Sequence, residues 1–337
     1  MWNIENFDTD KSCFYYLCGM TAQIPENFTA DISLKDFFMR EIPLKPDWQG
    51  EVKAVLVYKP APEPAQKAIL YLHGFIDYFY QRDMALFFND LGYNFYALDL
   101  RKYGRALMPH QKPNIIKAME DYYEEIDKAV DIIKNEHGND FLILKGHSTG
   151  GLLASLYAED HKEDVDALIL NSPFFEFNIS AGKRFALLPL IKLLHGIMPE
   201  FGIDSLTEVH PKSMHKDYFG EWDFNTDWKP IENFPAFFAW LHAIREGHKR
   251  IHNGLNIKCP VLVMYSDKSF KGKKFAPEAL KADAVLDPEH IAKYASYLGK
   301  NVTKLEVKDG MHDLVLSGKE AREKVYEEMK NWLVSVE

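Results

Sequence analysis

Short apolar runs alternate along this chain with longer stretches that turn apolar every third or fourth residue. The runs are rich in β-branched and aromatic residues and read as strands. They are Phe37 to Leu44, Val52 to Tyr58, Ala68 to Leu72, Phe95 to Leu98, Phe141 to Leu144, Ala167 to Leu170, Val261 to Tyr265 and Thr303 to Val307. The first two are predicted to pair as a hairpin through the Pro46-Asp47 region. The helical stretches lie near Asp83 to Leu91, Ile116 to Glu136, Gly151 to Glu159, Pro288 to Leu298 and Lys319 to Val334. Such alternation predicts an α/β fold with a mostly parallel, eight-stranded sheet flanked by helices. The rhythm breaks once, from Phe174 to Lys258, where only aromatic and charged helical pieces occur. A stretch this long between two strands predicts a helical cap. The expected division is a core of residues 1–173 and 259–337, with a cap of residues 174–258.

The strongest local signal is Phe141 to Ala154, FLILKGHSTGGLLA. A buried-strand run ends in Gly146-His147-Ser148-Thr149-Gly150, and an apolar helix begins. This is G-x-S-x-G in the strand–turn–helix setting of a nucleophile elbow. A serine held in a sharp turn leaves no room for bulky side chains two residues before and after it. The following helix points its first N–H groups at the serine, where negative charge would develop. Ser148 is therefore the candidate nucleophile, and the Thr149 N–H a candidate oxyanion donor. Upstream, the run Leu70-Tyr71-Leu72 ends in His73-Gly74-Phe75. The loop after that strand is the place for a second oxyanion N–H, assigned to Phe75 with Ile76 as the alternative.

Four segments together, His73-Gly74, Asp99 to Arg105 (DLRKYGR), Gly146 to Gly151 and Gly310-Met311-His312-Asp313, resemble the monoacylglycerol lipase and lysophospholipase branch of the α/β-hydrolases. Serine-aminopeptidase-like proteins share that branch. The resemblance spans roughly residues 35 to 335 and implies an α/β-hydrolase fold with the cap between strands six and seven. Two departures stand out. Tyr103-Gly104 occupies the place of a second His-Gly, and Thr149 stands where Met or Gln is commoner.

In this fold the triad runs Ser, acid, His in chain order. Of 13 histidines, His312 fits best: it follows the last strand in a Gly-Met-His turn and precedes the C-terminal helix. His147 and His73 read as supporting residues. For the acid, Asp267 lies immediately after the strand Val261 to Tyr265, but KSFKGKKFAPEALKA follows and starts no clean helix. Asp287, Pro288 and Glu289 form a helix start, with Asp287 as N-cap. Asp283 precedes that helix and is followed by Ala284-Val285-Leu286, which matches the family's spacing. Asp283 is preferred, Asp267 is the alternative, and Asp287 is a distant third.

Nine of the 23 residues from Tyr218 to Trp240 are aromatic. Most must pack the cap onto the sheet, while a few could line an acyl pocket. The candidate substrate-binding residues are Phe174, Phe175, Trp222, Phe237 and Trp240. Glu176, Glu221, Asp223 and Asp227 are carboxylates that an aminopeptidase could use for a substrate amine, though cap charges usually face water. Lys268, Lys271, Lys273 and Lys274 read as a solvated loop before they read as an anion site.

The net charge of −10 disfavours nucleic acid and gives no general attraction to anionic membranes. The longest apolar stretch, Phe185 to Pro199, is too short to span a bilayer and contains Lys192, His195 and Pro189. It reads as a packed or surface-lying helix. MWNIENFDTDK lacks the marks of a signal peptide. The three cysteines, Cys13, Cys18 and Cys259, match no zinc pattern, and a reducing cytoplasmic setting fits best. The expectation is a serine hydrolase acting on a small acyl ester, without metal or cofactor. An amidase or aminopeptidase with the same triad is the alternative, and a non-catalytic binding protein of this fold the remote one.

Overall fold

The computed structural model describes residues 26–204 and 206–336. The N-terminal segment, with Cys13 and Cys18, lies outside the described residues. Eleven strands occur among the described residues: β1 (Thr29–Ala30), β2 (Phe38–Asp47), β3 (Gly50–Lys59), β4 (Lys67–Leu72), β5 (Tyr93–Asp99), β6 (Phe141–His147), β7 (Ala167–Asn171), β8 (Gly202–Ile203), β9 (Ala236–Phe237), β10 (Val261–Ser266) and β11 (Val302–Val307). Nine of them form one sheet in the order β1-β2-β3-β5-β4-β6-β7-β10-β11, and β8 pairs with β9 apart from it. All eight expected strands are present. The ninth, β1, is a two-residue edge pairing with β2, too short to leave a periodic signal in the sequence. From β5 onward every pairing is parallel, while β1, β2 and β3 pair antiparallel.

The alternation of strand side chains sets the layers. Ala68, Leu70 and Leu72 of β4 enter one core cluster, whereas Ile69 and Tyr71 enter the other. Eight α-helices are described: α1 (Arg82–Asp90), α2 (Tyr123–Asp131), α3 (Thr149–Asp160), α4 (Ala181–Ile197), α5 (Val209–Met214), α6 (Phe238–Asn253), α7 (Pro288–Ala295) and α8 (Lys319–Val336). Met84 and Phe88 of α1 join Val325 and Met329 of α8 on one sheet face. Ile126 of α2, Leu152 and Leu156 of α3 and Ile244 of α6 cover the other. The helix expected over Ile116 to Glu136 is divided. A 3₁₀ turn at Met119–Tyr122 leads into α2, which ends in a π turn at Ile132–Glu136. Asp287 caps α7, accepting from the Glu289 N–H at 3.2 Å.

Between β7 and β10 the chain adds no strand to the main sheet. It contributes α4, α5, α6 and the β8–β9 pair. Helix α4 packs along α6, yet Phe185, Leu193 and Ile197 stay exposed. No described helix is long and apolar enough to cross a membrane.

The turn from β6 into α3 leaves no room for side chains at its two glycines. A Cβ on Gly146 would lie 2.3 Å from the Gly150 carbonyl oxygen, and one on Gly150 would lie 2.3 Å from that of Leu72. Both obstacles are backbone and cannot swing aside. Gly150→Ala is therefore expected to destabilise the protein by about 1–3 kcal/mol or more, read from denaturant unfolding. Gly318→Ala, where a Cβ meets nothing within 4 Å, should stay within about 0.5 kcal/mol of the parent. Equal stabilities for the two variants would contradict this account of the turn.

Candidate active site

The parallel strands all end at one edge of the sheet, and the loops leaving them converge there. Ser148 sits between β6 and α3 at φ 53°, ψ −117°. Such a backbone costs about 1–3 kcal/mol and persists only where its surroundings enforce it. Four hydrogen bonds do so. The Ser148 N–H donates to the Asn171 carbonyl at 3.0 Å, and the Ser148 carbonyl accepts from Gly151, Leu152 and Phe174 at 2.9, 3.2 and 2.9 Å.

His312 follows β11 and is 3 % exposed. Its Nε2 lies 3.0 Å from Ser148 Oγ, and its Nδ1 lies 2.9 Å from Asp283 Oδ2. Asp283 is fully buried, and its other oxygen accepts from the N–H groups of Val285 and Leu286 at 2.8 and 2.7 Å. The carboxylate is thus fixed from both sides. The inserted residues after β10 loop away and return: Asp283 donates to the Lys268 carbonyl and accepts from the Phe270 N–H. Asp283 is so carried back to the strand end despite its sequence distance. Asp267 serves elsewhere, accepting from the Asp309 N–H at 2.9 Å beside Lys268.

The loop bearing His312 is tied to the sheet by its neighbour. Asp313 accepts from Asn171 Nδ2 at 2.7 Å and from Gln81 Nε2 at 3.1 Å. Lys145 lies beneath, fully buried, its pKa pushed down to about 8 by loss of hydration against the pull of Asp313. His73 accepts at Nε2 from the Leu100 N–H, joining the loops after β4 and β5. His147 contacts the His312 ring at 4.9 Å, and burial, then His312, holds its pKa well below the usual histidine range. His147 also lines the cavity rather than only underpinning the turn.

That cavity, about 310 Å³, opens on Ser148 and His312. Phe75 and Thr149 line it, and Gly74 lies so close to the serine that a Cβ there would be 3.1 Å from Ser148 Cβ. As the first residue of α3, Thr149 has an N–H with no partner inside the helix. Phe174 and Trp240 line the cavity, with Trp240 stacked on Phe75 at 4.0 Å. Leu187, Leu188 and Ile191 of α4 and Leu241 of α6 complete an apolar wall.

Three expected lining residues lie elsewhere. Phe175 is 1 % exposed and spends its ring in the core under α6. Trp222 turns outward over the Arg322 side and donates to the Leu316 carbonyl at 2.8 Å. Phe237 packs with Ile115 and Ala239 in a separate small cluster. Glu176, Glu221 and Asp223 are paired with Arg184, Arg322 and Lys216, and Asp227 is exposed, all outside this cavity. The lysines from Lys268 to Lys274 do not line it either. A more open hollow of about 470 Å³ between α4 and α6 contains none of Ser148, His312 and Asp283. Sequence reasoning missed five polar residues that do line the cavity: Asp77, Asn178, Asp204, His210 and Lys229. None stands in a motif, and only the folded chain brings them together. Among the described residues, no group of three or more potential ligands could hold a metal ion. Cys259 is a free, partly buried thiol whose pKa burial raises to about 11.

A hydroxyl, an imidazole and a carboxylate linked in this order can move a proton off the hydroxyl as it attacks a carbonyl. The family model described as serine aminopeptidase, S33, matches residues 63–272. The chain belongs to this family and is a serine hydrolase with the α/β-hydrolase fold. Its fold is similar to monoglyceride lipase from Saccharomyces cerevisiae, with 16 % identity, TM-score 0.64, and coverage of 93 % of this chain and 100 % of that one. It is similar to a monoacylglycerol lipase of Paleococcus ferrophilus, with 20 % identity, TM-score 0.63, and coverage of 84 % and 99 %. A carboxyl esterase from Bacillus coagulans, solved with glycerol, gives 15 % identity, TM-score 0.64, and coverage of 88 % and 98 %. No curated protein matches the chain.

The two aspartates near β10 make a sharp comparison. Asp283→Asn is expected to lower kcat about 10³–10⁴-fold, as does loss of a tautomer-fixing carboxylate in other triads. Asp267→Asn should leave kcat within about tenfold of the parent, since that carboxylate only holds a turn. Steady-state kinetics on one chromogenic ester decides the matter, and the reverse ranking would reassign the acid.

Proposed function

We propose that this serine hydrolase cleaves carboxylic esters of an apolar acyl chain through a covalent acyl-enzyme, with Ser148 as nucleophile, His312 as base and Asp283 as orienting acid. The reading rests on one observation above all: the hydrogen-bonded chain Asp283–His312–Ser148 opens directly onto a cavity walled by Phe174, Trp240 and the α4 leucines. Residues 174–258 act as the cap that supplies most of this wall.

The chemistry follows from the placements. Ser148 Oγ attacks the ester carbonyl carbon as its proton passes to His312 Nε2. The carbonyl π electrons move onto oxygen, and the N–H groups of Thr149 and Phe75 donate hydrogen bonds to the resulting oxyanion. As the tetrahedral intermediate collapses, the bond to the leaving oxygen breaks and His312 returns its proton to that oxygen. A water molecule repeats the sequence on the acyl-enzyme and frees Ser148. Asp283 keeps the Nδ1 proton in place and stabilises the imidazolium between transfers.

Ester cleavage is favoured over release of an N-terminal amino acid by the charges inside the cavity. An aminopeptidase needs a free carboxylate for the substrate ammonium. The buried carboxylate here, Asp77, already holds Lys229 Nζ at 2.6 Å, and Asp204 is exposed to water.

Ser148→Ala should abolish fluorophosphonate labelling and nearly all ester turnover while the protein stays folded by circular dichroism. Retained labelling with intact activity would remove Ser148 from the mechanism. In the parent protein, kcat/KM on p-nitrophenyl esters should rise with acyl length before falling, because each buried methylene contributes about 0.8 kcal/mol. A preference for acetyl over octanoyl, or faster turnover of alanine anilide than of any ester, would favour the aminopeptidase reading.

A further inference from the structure

The open hollow of about 470 Å³ between α4 and α6 has no part in the hydrolytic steps. Its charges do not balance. Four cations line it, Arg184, Lys192, Arg245 and Lys249, against two carboxylates, Glu176 and Glu246. Both carboxylates are already taken: Arg184 stands 3.3 Å from Glu176, and Lys249 holds Glu246 at 2.5 Å. Lys192 and Arg245 are left without an ion-pair partner among the described residues. His252, also in the lining, is neutral at pH 7, because burial lowers its pKa, and its Nε2 is spent on the Phe175 carbonyl at 2.8 Å. Four cations less two carboxylates leave an excess of two positive charges, in a chain whose net charge is −10.

The remainder of the lining is apolar and comes from α4: Phe185, Leu188 and Pro189. Phe185 is 86 % exposed, so its ring meets water unless something lies over it. The two unpaired cations stand on facing helices, Lys192 on α4 and Arg245 on α6. Arg245 is half-buried, and a guanidinium presents a planar fork of donors that matches the two oxygens of a carboxylate. Leu188 lines both this hollow and the cavity at Ser148, so α4 is the partition between the two spaces.

We propose that this hollow is a second binding site, outside the reacting cavity, for a single-chain anionic amphiphile. Its head sits between Lys192 and Arg245, and its alkyl chain lies along Phe185, Leu188 and Pro189. A carboxylate there completes the two cations that the protein leaves unpaired, and its chain covers the exposed Phe185 ring. A cationic amphiphile meets like charge in the same place, and an uncharged one leaves both cations as they were. The source of the ligand rests on the ester-hydrolase reading above: hydrolysis frees a fatty carboxylate on the other side of the α4 partition. The binding itself does not rest on that reading.

The test is a calorimetric titration of dodecanoate, kept below its micelle range, into the chain with Ser148 blocked by a dodecyl fluorophosphonate. The blocking group fills the reacting cavity and leaves the hollow open. Dodecanoate should bind at least about tenfold more tightly than dodecyltrimethylammonium, which has the same tail and the opposite charge. Lys192→Gln/Arg245→Gln should weaken dodecanoate at least about tenfold, and Lys192→Glu/Arg245→Glu should reverse the order of the two ligands. Where a double variant fails to fold, Lys192→Gln alone, at an exposed position, should weaken dodecanoate by at least about threefold. Absence of binding to the blocked parent overturns the proposal, as does equal affinity for the two amphiphiles or an unmoved affinity in a folded variant. Vesicles of phosphatidylglycerol separate a bilayer from a free chain: capture by them without uptake of dodecanoate overturns it too. The ester-hydrolase reading fails separately, when the parent cleaves no ester and Ser148 takes no fluorophosphonate. The titration is then made on the unblocked chain, where the same variants decide.

Discussion

The backbone of Ser148 is the constraint around which the site is built. A non-glycine residue at φ 53°, ψ −117° holds only because its own N–H and carbonyl are bonded on all sides. Those bonds reach β7 through Asn171 and the loop beyond it through Phe174. The glycines at 146 and 150 let strand, helix and the loop after β4 approach to distances no side chain would allow. The strain is thus shared among three strand ends, and relaxing it would require them to part.

Asn171 carries this order from the serine to the histidine. Its carbonyl receives the Ser148 N–H, while its side chain donates to Asp313 and accepts from the Leu314 N–H at 3.2 Å. The two loops that must meet within 3.0 Å are therefore referenced to one residue rather than to each other. Charge is handled in the same economical way. Asp313, the acidic neighbour of His312, faces Gln81, Asn171 and the buried Lys145 below the site.

Much of this could be read from the chain, for identifiable reasons. Strands buried on both faces leave continuous apolar runs, so β4, β6, β7 and β10 are plain in the sequence. The Gly-x-Ser-x-Gly turn is legible because a steric requirement acts on residues adjacent in sequence. His312 was singled out by its place after the last long strand, and the structure brings it to Ser148. The acid was harder to read. Two aspartates flank the inserted loop, and the choice depended on where that loop returns, which a main-chain pairing between Ser269 and Asp283 decides. The aromatic stretch was the weakest guide. Nine rings in 23 residues announce packing, but which ring faces the cavity depends on the helix and turn each occupies, and Trp240 alone of that stretch does so. Lys229 and Asp77 left no trace, because 152 positions separate them.

The hydrogen-bonded chain Asp283–His312–Ser148 and much of the cavity wall come from different parts of the chain. Ser148, Asp283 and His312 all hang from the ends of main-sheet strands, whereas Leu187, Leu188, Ile191, Lys229 and Trp240 belong to the stretch that adds nothing to that sheet. Heritable change can therefore work on the two at different rates. Substitutions, insertions or whole exchanges between β7 and β10 can redraw what enters the cavity while the hydrogen bonds joining Asp283, His312 and Ser148 stay intact. A lineage built this way can try new diets without first losing its teeth.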